Sequence, residues 1–173
     1  MTDRAASSVR RAGSADAAVL ARLLHAFCTE FDTAVDPVGV LTSRFARLLD
    51  DTAVLALLAV DDDDAGGDPA GFALITLRPA IWFDGPVAVL DEFYVAPALR
   101  SHGIGADLLD SARERLLELG CPEMHINVDE VDADARRFYE RHGFVTVEPG
   151  TDYRMLCYIG PTRFPRVQTP HSP

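Results

Sequence analysis

The sequence predicts a mixed α/β fold, with a central mixed sheet of six to seven strands and helices on both faces. Three observations carry that expectation. Apolar residues recur at three- and four-residue steps in some segments and in short β-branched or unbroken runs in others, so both helices and strands are present. In order, the segments read β-α-α-β-β-β-α-β-α-β-β. Strands joined by tight turns pair antiparallel, whereas a helix between strands allows a parallel crossover, so the first half of the sheet is antiparallel and the whole is mixed. Finally, 173 residues, 48% hydrophobic and 25% charged, suit one soluble globular domain with a sizeable core.

Residues 1–7 read as a loose start and residues 8–12 as a short strand. Ser14 or Asp16 can cap a helix that runs to about Phe27, with Val19, Leu20, Leu23, Leu24 and Phe27 on one face. Residues 30–37 break the pattern. A second helix covers residues 38–49, with Leu41, Phe45, Leu48 and Leu49 inward. Residues 53–60 form an unbroken apolar strand, the acidic stretch after it reads as a solvated hairpin turn, and residues 71–78 return. A connection carrying Trp82 and Phe83 leads to a strand over residues 89–95, ended by Pro97, which cannot donate to a ladder. Ile104, Leu108, Leu109, Ala112, Leu116 and Leu119 then mark a long helix, stopped by Gly120 and Pro122. Residues 123–128 are a strand, residues 132–142 a helix that Asp132 can cap and Gly143 ends, and residues 144–147 and 155–159 two last strands. Residues 160–173 read as an extended tail. No repeat or linker divides the chain, so residues 1–173 are expected to be a single domain.

Charge narrows the function. The net charge is −11, and all 16 basic side chains are arginine. No lysine can act as a base or form a Schiff base. The acidity argues against nucleic-acid binding and against docking on anionic membranes, and it is compatible with a cationic substrate. Cys28, Cys121 and Cys157 are scattered, without metal-ligand spacing, and fit thiols in a reducing compartment. No metal is expected. The longest apolar run is too short to span a bilayer, and no signal-peptide pattern opens the chain, so the expectation is a cytoplasmic protein.

The organising stretch is residues 89–106, VLDEFYVAPALRSHGIGA, a strand, a turn and a helix start. Glycines at 103 and 105 let a ligand approach the backbone, and the amides at the helix start suit a phosphate. A dinucleotide fingerprint does not fit the turn, and no Walker lysine exists. An anion site without a nucleotide-hydrolysis apparatus remains.

Arg100-Ser-His-Gly103-Ile-Gly105 resembles the pyrophosphate loop R/Q-x-x-G-x-G/A of the GNAT (Gcn5-related N-acetyltransferase) superfamily. Further on, Ala135-Arg-Arg-Phe-Tyr139-Glu-Arg-His-Gly143-Phe144 resembles the second signature of that superfamily, A-x-x-F-Y-x-x-x-G-F. Two motifs in the right order and at the right distance are more specific than either alone. The resemblance implies a GNAT-like acyl-CoA N-acyltransferase fold with acetyl-CoA as cosubstrate. It implies that backbone groups of Phe93, Tyr94 and Val95 bond the pantetheine arm and the acetyl carbonyl. Arg100, Ser101, His102, Gly103, Ile104, Gly105 and Ala106 would hold the pyrophosphate, with His102 a turn residue beside phosphate rather than a base. Tyr139 matches the tyrosine that protonates the leaving thiolate; without the motif it reads as a core aromatic beside Phe138. Asp132 stands where many relatives carry a cofactor-contacting asparagine. Aspartate caps equally well, but it sets a negative charge near an anionic ligand.

The acceptor amine must lose a proton. Asp91 and Glu92 are the candidate bases, sent to opposite faces by the two-residue period. Residues 90–95, Leu-Asp-Glu-Phe-Tyr-Val, resemble the Leu-Glu-Asp-Phe-Phe-Val stretch of polyamine acetyltransferases, which favours Asp91 over Glu92. An ion pair with an arginine is the alternative for either carboxylate. Glu30 and Asp32 lie where the superfamily forms its substrate loop, and Asn127 can orient an amine or be an ordinary ladder residue. The first reading is therefore an N-acetyltransferase acting by direct attack on the primary amine of a small cationic acceptor. The alternatives are a non-catalytic acyl-CoA sensor of the same fold and an enzyme acting on a protein amine. A homodimer is expected from resemblance alone.

Overall fold

Five strands form one sheet in the order β1-β2-β3-β4-β5 in a computed structural model that describes residues 7–61, 69–147 and 150–159. They are β1 (Ser7–Arg11), β2 (Val54–Asp61), β3 (Gly71–Arg78), β4 (Val87–Val95) and β5 (Met124–Ile126). The first four pair antiparallel in succession, and β5 joins β4 in parallel. The helices are α1 (Ala17–Glu30), α2 (Val38–Leu49) and α3 (Ile104–Glu118), with α4 (Ala133–Arg141) in a separate unit. The chain forms two compact units, dividing after Ile126. The expected loose start, acidic turn and tail fall largely on residues outside those described.

In the first unit the sheet is buried on both faces, which explains the unbroken apolar run of β2. Val54, Ala56 and Leu58 of β2, Phe72 and Leu74 of β3 and Tyr94 of β4 pack with Leu20, Ala21, Leu23, Leu41 and Phe45 of α1 and α2. The two-residue period sends Leu55, Leu57, Ala59, Ala73 and Ile75 to the other face, where they are equally buried. There α3 lies across β1 to β4 and buries Ile104, Leu108, Leu109, Ala112 and Leu116. Asp16, expected as a helix cap, instead accepts from the Gly13 amide at 2.9 Å and from Arg10 at 2.6 Å, securing the short 3-10 turn before α1.

Two features of β4 position the site. Its register against β3 shifts: Leu74 lies opposite Glu92 but Ile75 lies opposite Leu90, leaving Asp91 as the extra residue of a β-bulge. Its ladder with β5 covers only Ala88, Val89 and Leu90. Beyond Leu90, β4 continues past the end of that ladder.

In the second unit α4 starts at Asp132, whose carboxylate accepts from the Ala135 amide at 3.0 Å. It is followed by Gly143 at φ +85°. The strand count is corrected here. In place of strands at 144–147 and 155–159, the described residues hold a single antiparallel bridge, Val147 to Arg154. Val145, Met155, Leu156, Tyr158 and Ile159 are all exposed, at both parities, so no buried face selects a register.

Candidate active site

The bulge decides how two adjacent carboxylates sit on an otherwise apolar strand. Glu92 lies opposite Leu74, and cross-strand partners share a face, so Glu92 is on the α1/α2 side with Tyr94. It is half-buried; burial, and then the charge of Asp91, push its carboxyl above the ordinary glutamate value. Asp91 is the bulged residue and is exposed. The bulge thus gives the two carboxylates different settings, Glu92 half-buried and Asp91 exposed. Cys28 of α1 also belongs to this face. Its thiol is pushed up by burial and then by the charge of Glu92.

Backbone direction follows from two hydrogen bonds. The Ala88 amide donates to the Glu123 carbonyl at 3.0 Å, towards β5, and the Ala96 amide donates to the Ala70 carbonyl at 2.8 Å, towards β3. Alternation back from Ala96 turns the backbone groups of Phe93 and Val95 to the β5 side and those of Tyr94 to β3. The backbone groups of Tyr94, expected to meet the pantetheine arm, thus lie on the β3 side. Its ring packs in the core, with centroids 5.4 Å from Phe27 and 6.5 Å from Phe72.

After the Pro97–Leu99 3-10 turn the backbone becomes unusual. Ser101 has φ +66° and Gly103 has φ +95°, the left-handed region that favours glycine. Gly103 is the N-cap of α3 and no side chain caps that start. Ser101 and His102 are exposed, the Ile104 side chain is in the core, and Gly105 and Ala106 lie in the first turn. An uncapped helix start with glycines at its approach fits a phosphate group.

The Arg100 side chain is engaged by three parts of the protein. Its Nε donates to the Val95 carbonyl at 2.9 Å, and its two terminal nitrogens donate to the Glu30 carboxylate at 2.6 and 2.7 Å. Its guanidinium lies 5.7 Å from the Tyr94 ring centroid. This contact with Glu30 is what sequence reasoning missed: α1 runs past Phe27 to Glu30, so the carboxylate meets Arg100 instead of standing open to an acceptor. Asp32 is exposed at φ +51°. Asn127, expected on a strand, is exposed just past the end of β5.

In the second unit Asp132 spends one oxygen on its own helix, as the cap that the sequence predicts. Tyr139 is half-buried between Phe138 and Phe144, at centroid distances of 5.2 and 5.9 Å. Burial, and then the charge of Asp132, raise its phenol well above the usual tyrosine range, so it stays protonated. Among the described residues no cluster of histidine, cysteine and carboxylate side chains could hold a metal ion. No described helix is long and apolar enough to cross a membrane.

A strand that outruns its neighbour, a left-handed glycine turn and an uncapped helix start define a class of protein that offers backbone donors to an anionic ligand. Residues 20–144 match the model of the acetyltransferase (GNAT) family, and the chain belongs to that family. It is similar to a D-amino-acid N-acetyltransferase of Saccharomyces cerevisiae, 31% identical over 117 residues, covering 67% of this chain and 71% of that one. It is also similar to an aminoglycoside N(6')-acetyltransferase type 1 of Klebsiella aerogenes, 30% identical over 109 residues, covering 62% of this chain and 66% of that one. Among solved structures, one from Arthrobacter sp. FB24, assigned provisionally as an acetyltransferase, superposes with a TM-score of 0.81 at 40% identity, covering 93% of this chain and 99% of that one. The protein is an N-acetyltransferase.

Proposed function

We propose that the protein transfers an acetyl group from acetyl-CoA to the primary amine of a small acceptor by direct attack. The observation that carries this reading is Glu92: a half-buried carboxylate with a raised pKa, beside a bulge, where β4 outruns its ladder with β5. A carboxyl poised upwards by burial accepts a proton more readily than an exposed one. Glu92 takes one proton from the ammonium, directly or through one water, and the neutral nitrogen then attacks the thioester carbon. The C–N bond forms, the C–S bond breaks as the tetrahedral intermediate collapses, and the departing sulfur takes a hydrogen bond and then a proton from a phenol; the second proton of the nitrogen passes to solvent, from which the phenolate is reprotonated. Tyr139 is that phenol. Its role rests on the A-x-x-F-Y motif, and its raised pKa keeps the O–H in place throughout the neutral range. The fit to CoA rests on the amides at the start of α3, which have no side-chain cap of their own.

Within the acceptor class, charge favours a monoamine such as an amino acid over a polycation. Two acidic residues, one ending α1 and one in the segment after it, are spent on arginines: Glu30 on Arg100, and Asp36 on Arg44 at 2.7 Å. The similarity to a D-amino-acid N-acetyltransferase points the same way. The test is release of CoA thiol from acetyl-CoA across D- and L-amino acids, aminoglycosides, polyamines and basic peptides. Turnover with amino acids is expected, and turnover with polyamines alone contradicts the charge argument. A Tyr139→Phe variant separates catalyst from sensor. It should lose about tenfold or more in kcat while still binding CoA, and equal turnover would remove Tyr139 from the mechanism.

A further inference from the structure

Arg100 opens the turn into α3, yet its side chain is committed elsewhere. Its Nε is on the Val95 carbonyl, its terminal nitrogens are on both oxygens of Glu30, and its head lies against the Tyr94 ring. One guanidinium thus ties the last turn of α1, the end of β4 and the turn itself. The pair is not an ordinary surface contact. It is bidentate, the geometry in which an arginine–carboxylate pair gains most, and the Glu30 side chain is only 26% exposed.

The residue next in the chain explains why such an anchor is needed. Ser101 sits at φ +66° without being glycine, and Gly103 follows at φ +95°. Gly103 adopts that region freely, but at Ser101, which has a Cβ, it is strained and persists only where the surroundings over-determine it. Arg100 supplies the fixed point immediately before the strained residue. The far end of the anchor is firm too, because Phe27, one turn before Glu30 on α1, packs against Tyr94 and edge-on to Phe31, at centroid distances of 5.4 and 5.3 Å.

We propose that Glu30 is a positioning residue for the cofactor turn: by holding Arg100, it keeps residues 101–103 in the conformation that presents the α3 amides to the pyrophosphate of CoA. This rests on the acetyl-CoA reading above, and it assigns Glu30 to the cofactor rather than to the acceptor. Because Glu30 is also the residue from which the segment after α1 departs, the pair links that segment to the turn. Coupling of this kind is reciprocal, so an acceptor that orders the segment tightens CoA binding by the same factor.

The experiment is calorimetric titration of CoA into the full chain and into Glu30→Gln, Arg100→Gln and the double variant, with acceptor kinetics in parallel. Glu30→Gln should raise the CoA Kd by about five- to tenfold, the range expected for losing a bidentate charged pair. The double variant should be no worse than Arg100→Gln alone, which marks the two residues as acting through one contact. Amide chemical shifts of Ser101 and Gly103 should move in Glu30→Gln before any CoA is added, a readout that needs only a folded protein. An unchanged or lowered CoA Kd in Glu30→Gln would overturn the assignment. So would a raised acceptor KM at constant CoA Kd, which is the signature of an acceptor ligand. A wild-type chain that does not bind CoA overturns the proposed function itself, a result distinguishable from either.

Discussion

The start of α3 and the start of α4 solve the same physical problem in opposite ways. Both helices begin with amides that lack an intrahelical partner. At α4 the chain supplies its own acceptor, Asp132, at 3.0 Å from the Ala135 amide. At α3 it supplies a left-handed glycine and no side chain at all. The start of α1 shows a third solution, with Asp16 securing the preceding turn and held in place by Arg10. The same division runs along β4, laddered on both sides up to Leu90 and on one side beyond it. Where the chain closes its own polar groups, the element serves stability. Where it leaves them presented at a turn that costs backbone strain, the element serves a ligand.

The sharpest way to break that contrast is to fill the turn. Gly103→Val puts a β-branched residue at φ +95°, and the CoA Kd should rise about a hundredfold or more as the amides lose their alignment. The next effect belongs to the bulge. Glu92→Gln should lower kcat by about a hundredfold with CoA binding retained, whereas Asp91→Asn should change kcat by less than about threefold. Steady-state kinetics with the best acceptor compares them directly, and the reverse order would return the base to Asp91.

Smaller effects sharpen the comparison from the closed side. Asp132→Ala should cost about 1 kcal/mol of stability in denaturant unfolding and leave the CoA Kd unchanged, and Asp132→Asn should cost far less, because asparagine caps as well. At α1 the consequence is a pH effect. Arg10 lowers the Asp16 carboxyl from 3.8 to about 2, with the Gly13 amide adding to the effect. A depressed folded-state pKa contributes stability that is fully present above the unfolded value and is lost as pH falls from about 4 to about 2. Arg10→Ala should flatten that part of the melting-temperature profile.

Much of this arrangement was legible in the sequence. Among the described residues, the pattern of apolar side chains located the four α-helices and the five strands, most sharply α1 to α3 and β2 to β4, which carry a buried stripe or run. The two last strands failed for the same reason in reverse: residues 155–159 are apolar but bury nothing, so composition imitated a strand that has no face. At the site, the glycine turn and the Asp132 cap were readable because they are local. The bulge at Asp91 and the engagement of Glu30 by Arg100 were not, because each depends on residues distant in the chain: the first on register against β3, the second on a helix one turn longer than its pattern. Non-local pairing can silence a charge that composition counts as available, and Glu30 is the example here.

The most direct measurement is backbone amide chemical-shift mapping of the labelled protein during titration with CoA. The account predicts large shifts at residues 103–106, at the start of α3, and small ones at residues 133–135, at the start of α4, where Asp132 already holds an amide. Shifts of equal size at both starts, or none at residues 103–106, would contradict it.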